Sequence, residues 1–180
     1  MIMRWTEFDL EIMALTVWAE ARGEGDEGMA AVAWVIRHRF ENPGWWSRNR
    51  GEAGEGMSAV AWAIRKRFEN QGGLVRHGEK VEDDTIAAVC LDPFQFSCWN
   101  PSDPNRPRLL NPVTRERSDY LLCRKICERV LSAPAEDDPV KGADHYCTKA
   151  VAKYTRWARG RTPVKVIGNH QFYRIGLSGG

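Results

Sequence analysis

Ala19-Glu20-Ala21-Arg22-Gly23-Glu24 is the stretch from which the rest of the chain is read. It ends one apolar segment and opens another. Upstream, Phe8, Ile12, Leu15 and Trp18 recur at helical spacing, and Met13, Thr16, Val17 and Glu20 form a second stripe. Apolar character on two sides predicts a buried helix. Thr6 and Asp9 supply its start and Gly23 its stop. Glu20 is thereby aimed where water is scarce. Downstream, Met29, Val32, Ala33, Ile36 and Phe40 predict a second helix, from about Asp26 to Phe40. Arg37, His38 and Arg39 suit the dipole of its last turns, and Asn42-Pro43-Gly44 stops it.

The same stretch begins an internal repeat. Arg22-Gly23-Glu24 recurs as Arg50-Gly51-Glu52, Ala31-Val32-Ala33-Trp34 as Ala59-Val60-Ala61-Trp62, and Arg39-Phe40-Glu41-Asn42 as Arg67-Phe68-Glu69-Asn70, always 28 positions apart. From Arg22 to Gly44, 17 of 23 positions are identical, which marks a tandem duplication of one helix plus its loop, residues 22–49 and 50–77. Two units do not make a solenoid, which needs three or more. Glu24 was copied, as Glu52, whereas Glu20 was not: Arg48 stands in its place. The second unit keeps an apolar stripe, Met57, Val60, Ala61, Ile64 and Phe68, which must be covered by its own domain or by a second chain in a homodimer. Continuity with Glu20 favours the first copy as the one that fills the core position.

Beyond the repeat, Thr85 to Leu91 reads as a short helix capped by Asp84. Phe94-Gln95-Phe96-Ser97-Cys98-Trp99 follows, and then a polar loop from Asn100 to Asn111. A helix from Ser118 or Asp119 to Ser132 is expected to turn Leu121, Leu122, Ile126, Val130 and Leu131 inward. Cys123 and Cys127 on it read as small buried hydrophobes, since two thiols alone leave a metal site incomplete. Val164 to Ile167, a Gly168-Asn169 turn and Gln171 to Tyr173 predict a C-terminal β-hairpin. The fold class is mainly α, a helical single domain over residues 1–180 with a small C-terminal hairpin.

Composition sets the outer bounds. Apolar residues make up 43% and charged residues 28%, an ordinary globular balance. Eight Trp suit either a core or a sugar-binding groove, because the indole face stacks on pyranose rings. A net charge of +2 permits an anionic polymer without requiring one. Five Cys, an odd number without CxxC spacing, are expected to be reduced thiols. The N-terminus carries Arg4, Glu7, Asp9 and Glu11 where a signal peptide would be apolar, and no apolar run is long enough to span a membrane. Arg37-His38-Arg39, Arg48-Asn49-Arg50 and Arg65-Lys66-Arg67 suggest a nucleic-acid-binding helix pair, but acids are interspersed and a solvated face is the simpler expectation.

Three ordered motifs carry a resemblance. Ala19 to Glu24 with Gly28-Met29-Ala30-Ala31-Val32-Ala33 resembles the opening motif of the SleB-like cell-wall hydrolases, a family of spore-cortex-lytic enzymes and phage endolysins. Gln95-Phe96-Ser97 resembles its middle motif. Gly142-Ala143-Asp144-His145-Tyr146, Trp157 and Ile167-Gly168-Asn169-His170-Gln171-Phe172-Tyr173 resemble its closing motifs. The resemblance implies a lysozyme-like α+β fold and cleavage of the peptidoglycan glycan strand, with Glu20 as the catalytic acid and no metal or cofactor. It also implies a lytic transglycosylase outcome. Gln95, Phe96, Ser97, Trp99, His145, Tyr146 and Trp157 become the candidate substrate-binding residues. Plainer roles stand beside these: Ser97 as a turn cap, His145-Tyr146 as a core pair, Trp34 and Trp62 as helix packing, and Glu20 as a solvated acid or a partner of Arg22. The expected setting is phage-type lysis: synthesis in the host cytoplasm, release by a holin, and action on periplasmic peptidoglycan, with neither membrane nor nucleic acid as partner.

A raised carboxyl pKa in an apolar site would suit Glu20 to protonate the glycosidic oxygen. A hydrolase usually sets a second carboxylate across the sugar, and none stands out. A transglycosylase needs only one, because the muramic acid C6 hydroxyl attacks in place of water. A hydrolytic muramidase and a non-catalytic wall-binding protein are the alternatives.

Overall fold

A computed structural model describes residues 4–42, 64, 67, 85–92 and 95–176. The α-helices with described bounds are α1 (Glu7–Ala21), α2 (Gly25–Glu41), α3 (Ile86–Leu91), α4 (Arg106–Leu109), α5 (Ser118–Ser132) and α6 (Lys149–Ala152). Three strands, β1 (His145–Thr148), β2 (Lys165–Ile167) and β3 (His170–Tyr173), form an antiparallel sheet in the order β1-β3-β2. The fold is mainly helical with a small C-terminal sheet. Among the described residues, no helix is long and apolar enough to cross a membrane.

α1 is the axis of the core. It packs against α2, α3 and α5, and every residue from Phe8 to Trp18 is buried. Its start is a capping box: the Asp9 amide donates to Thr6 Oγ1 at 3.1 Å and the Thr6 amide to Asp9 Oδ2 at 2.9 Å. Asp9 is itself buried because its Oδ1 also accepts from the Ala87 amide, at 2.9 Å, in the first turn of α3. One carboxylate thus starts one helix and orients another. Thr85 caps α3: its side chain accepts from the Ala88 amide at 3.1 Å, while the expected cap, Asp84, lies outside the described residues.

The left-handed residue of the α1–α2 break is Gly25 (φ 70°), two positions after the expected Gly23. α2, the first copy of the repeat, packs on α1, α3 and α5. Of the second copy, only Ile64 and Arg67 are described; Ile64 lies in the core at 2% exposure and Arg67 is exposed. The remaining expectations for that unit, including Trp62 and a homodimer, lie outside the described residues.

Two expectations need correction. Leu121 and Leu122 do not face in; they are 45% and 37% exposed. Tyr120, Cys123, Ile126, Cys127, Val130 and Leu131 form the buried face of α5, an unbroken three-and-four series that leaves no room for two adjacent leucines. Nor do Arg37, His38 and Arg39 form a solvated face, since all three are buried. Arg37 Nη1 donates to the carbonyls of Val130 and Ala133 (2.7 and 2.6 Å), which closes the C-terminal end of α5. His38 Nδ1 meets the Ala143 carbonyl at 2.8 Å while Nε2 faces Asp138 at 3.3 Å. Both neighbours accept from the ring, which favours its doubly protonated form. All five cysteines are unbridged, and the Cys123 thiol lies 3.0 Å from Met29 Sδ.

Candidate functional site

Glu20 sits in the last turn of α1, half-buried. Tyr146, on β1, donates from its hydroxyl to Glu20 Oε2 at 2.9 Å across 126 residues of chain. The buried Cys98 thiol lies near enough to the same carboxyl group for the carboxylate to act on it. Burial first, and the Glu20 carboxylate second, push the Tyr146 hydroxyl well above its usual range, so it remains a proton donor. The same two causes, in the same order, push the Cys98 thiol up. The hydrogen bond that holds Glu20 therefore comes from a neutral donor and not from a cation. Arg22 is no partner to it: its guanidinium turns back to the carbonyls of Trp18 and Ala19 (3.3 and 3.5 Å) and stacks over the Trp18 ring.

Behind this pair lies a buried arginine whose role the sequence did not disclose. Arg39 Nε donates to the Asp144 carbonyl at 2.8 Å and Nη1 to Gln95 Oε1 at 3.1 Å, while the guanidinium stacks over Phe96. It ties the end of α2 to the strand that carries Tyr146 and to the turn before Cys98. Its charge also acts on Tyr146 and Glu20. In the sequence it looked like any last-turn cation; the only hint was that it follows two other cations on an apolar helix.

The candidate residues separate into three places. Tyr146 touches Glu20 directly. Gln95 and Phe96 support it through Arg39, and Trp99 supports it from beneath: the buried indole donates from Nε1 to Thr16 Oγ1 at 2.9 Å, one turn before Glu20. Ser97 is exposed beside them. His145 and Trp157 lie on the opposite face of the sheet. Neighbouring strand residues point to opposite sides, so His145 faces away from Glu20. Its ring packs edge-on against Trp157 at 4.9 Å, and Trp157 against Tyr173 at 5.6 Å. Asp144 holds His145 Nδ1 at 2.9 Å and accepts from the amides of Ile175 and Gly176. Burial works to raise Asp144, but these donors outweigh it and keep the carboxyl below its usual range.

Glu24 has a different task from Glu20. Its carboxylate accepts from the Asn169 amide at 2.8 Å and from Asn169 Nδ2 at 3.2 Å. That amide, foremost, lowers the Glu24 pKa. Gly168 (φ 55°) makes the seat possible, because a Cβ there would collide with Glu24 Oε2. The copied acid fastens the α1–α2 elbow to the β2–β3 turn; the uncopied acid faces the phenol. Among the described residues, no group of three or more His, Cys, Asp or Glu is placed to hold a metal.

A family model described as Cell Wall Hydrolase matches residues 51–173. No curated protein and no solved structure among those compared matches the chain. The match begins at Gly51, inside the second repeat copy, and leaves out Glu20. In the structure the first copy, α2, follows Glu20 directly and packs on α1, α3 and α5.

Proposed function

The chain belongs to the cell wall hydrolase family, whose activity is directed at peptidoglycan, and on that premise we propose that it cleaves the MurNAc-β-1,4-GlcNAc bond of the glycan strand as a lytic transglycosylase. The observation that carries this proposal is the contact of Tyr146 with Glu20, the uncopied acid of the opening motif. With Oε2 held by the phenol, the carboxyl group is oriented to deliver its proton to the glycosidic oxygen. As carboxylate it then takes the proton of the muramic acid C6 hydroxyl while that oxygen attacks C1 and closes a 1,6-anhydro ring. Glu24 is engaged by Asn169 and does not supply a second acid across the sugar. Gln95 and Phe96, through Arg39, and Trp99, through Thr16, keep Glu20 and Tyr146 in place.

Products from purified sacculi decide the matter: wild type is expected to release 1,6-anhydro muropeptides and Glu20→Gln none. Reducing ends instead of anhydro ends would overturn the transglycosylase step, and cleavage by Glu20→Gln would overturn the assignment of the acid. Phage-type host lysis, with holin-dependent access to periplasmic peptidoglycan, is the setting we assign to the activity; loss of holin dependence in a lysis assay would refute it.

A further inference from the structure

The charge of the chain is unevenly distributed. Residues 141–176 hold eight of the 26 Lys and Arg but one of the 24 Asp and Glu, which leaves 18 cations and 23 acids elsewhere. The single acid, Asp144, is buried and engaged by His145 and two amides. The densest part is the connection from β1 to β2, where Lys149, Lys153, Arg156, Arg159 and Arg161 occur within 13 residues without one acid. All five are exposed, and among the described residues none forms an ion pair. Trp157 tucks under this connection against His145 and Tyr173, so the segment lies over the sheet face turned away from Glu20. Tyr154, 75% exposed, carries the Lys153 ammonium over its ring at 4.8 Å.

We propose that the 149–161 connection is a docking surface for the carboxylate-bearing stem peptides of the polymer cleaved at Glu20, a proposal that rests on the cleavage reading above. Continuity with the site selects this partner over other anions. The Lys149 amide donates to the Asn169 carbonyl at 2.8 Å, and the Lys149 charge acts on Glu24, on the elbow one turn beyond Glu20. The cationic run therefore starts beside the elbow that follows Glu20 and leads away over the opposite face of the sheet. A glycan strand held at Glu20 carries a peptide with free carboxylates on each neighbouring muramic acid, and these meet a surface from which acids are absent. Exposed charges of this kind act within about a Debye length, roughly 8–10 Å, and supply attraction more than fixed geometry. Docking should accordingly weaken with salt.

The test combines Lys153→Gln, Arg156→Gln, Arg159→Gln and Arg161→Gln in one variant, leaving Lys149 and the site intact, with a thermal melt to verify folding. Co-sedimentation with intact sacculi at low salt is expected to fall roughly tenfold or more. Release from sacculi should fall with it, while the rate on glycan strands stripped of their peptides by an amidase stays unchanged. A second variant that combines Arg156→Lys, Arg159→Lys and Arg161→Lys should bind like wild type. Undiminished sedimentation of the Gln variant, an equal loss on stripped strands, or tighter wild-type binding to phosphatidylglycerol vesicles or duplex DNA than to sacculi would each overturn the proposal. Sedimentation requires no bond to be cut. Failure of every protein to release muropeptides would therefore count against the proposed function, while the binding result still decides the docking surface.

Discussion

Two glutamates four positions apart take on opposite duties because of what each meets. Glu20 meets a phenol and a thiol, both neutral and both pushed away from ionisation. Glu24 meets a backbone amide in a turn. Substitutions should separate them. Tyr146→Phe removes one hydrogen bond to the acid and should lower muropeptide release about ten- to a hundredfold, with stability changed by only about 1 kcal/mol. Release rates and melting curves on the same preparation check this; an unchanged rate would count against Glu20 as the acid. Glu24→Ala should do the reverse. Its bonds are largely exposed, so the loss is about 1 kcal/mol, or a Tm roughly 2–4 °C lower, with much of the activity retained. The sequence distinguished the two acids through the duplication, which copied one and not the other. It offered His145-Tyr146 for substrate binding or for support of Glu20, but not which of the two makes the direct contact, because that bond joins residues 126 positions apart and no local pattern records it.

At the level of elements, the His38–Asp138 pair fastens α2 to the loop before β1. Burial would lower His38, but Asp138 and the Ala143 carbonyl overcome it and raise the imidazole above 6.5. Burial would raise Asp138, but His38 and the amides of Gly142 and Val140 overcome it and lower the carboxyl below 3.8. A raised histidine contributes stability below its unfolded value and loses it as pH rises through the folded one. A lowered aspartate contributes above its unfolded value and loses it as pH falls through the folded one. The stabilisation is therefore complete between pH 3.8 and 6.5 and fades on both sides. Tm against pH for wild type and His38→Gln should differ most inside that window; a constant difference across pH 3–9 would refute the pairing. Helix positions were legible from periodicity, and α1, α2 and α5 fall within a residue or two of expectation. The inward face of α5 was less so. Hydrophobicity drew Leu121 and Leu122 inward, whereas the phase is set by Tyr120, Cys123 and Cys127. β1 was not foreseen because its residues, His145 to Thr148, lack an alternating apolar pattern, and its pairing with β3 is non-local.

For the molecule as a whole, the duplication offers two candidates for one position. The first copy is α2 and packs on α1, α3 and α5; Ile64 from the second is buried in the same core, and Arg67, the counterpart of buried Arg39, is exposed. Deleting residues 50–77 should leave a folded, active protein, since every described contact of Glu20 is outside that segment. Loss of Ile64 should nonetheless lower stability by about 1–3 kcal/mol, a Tm drop of roughly 2–12 °C. A deletion variant that folds but releases nothing would show that the second copy shapes the site.

The seat of Glu24 on Asn169 joins residues 145 positions apart, and Tyr146 reaches Glu20 across 126. On a ribosome, the acid is made early and waits for its phenol, then for the turn that locks the elbow. Until β3 emerges to pair with both other strands, the growing chain carries the carboxylate without its frame. Catalytic competence should therefore arrive only once β3 has been made, and a chain stopped before His170 should carry Glu20 and cut nothing.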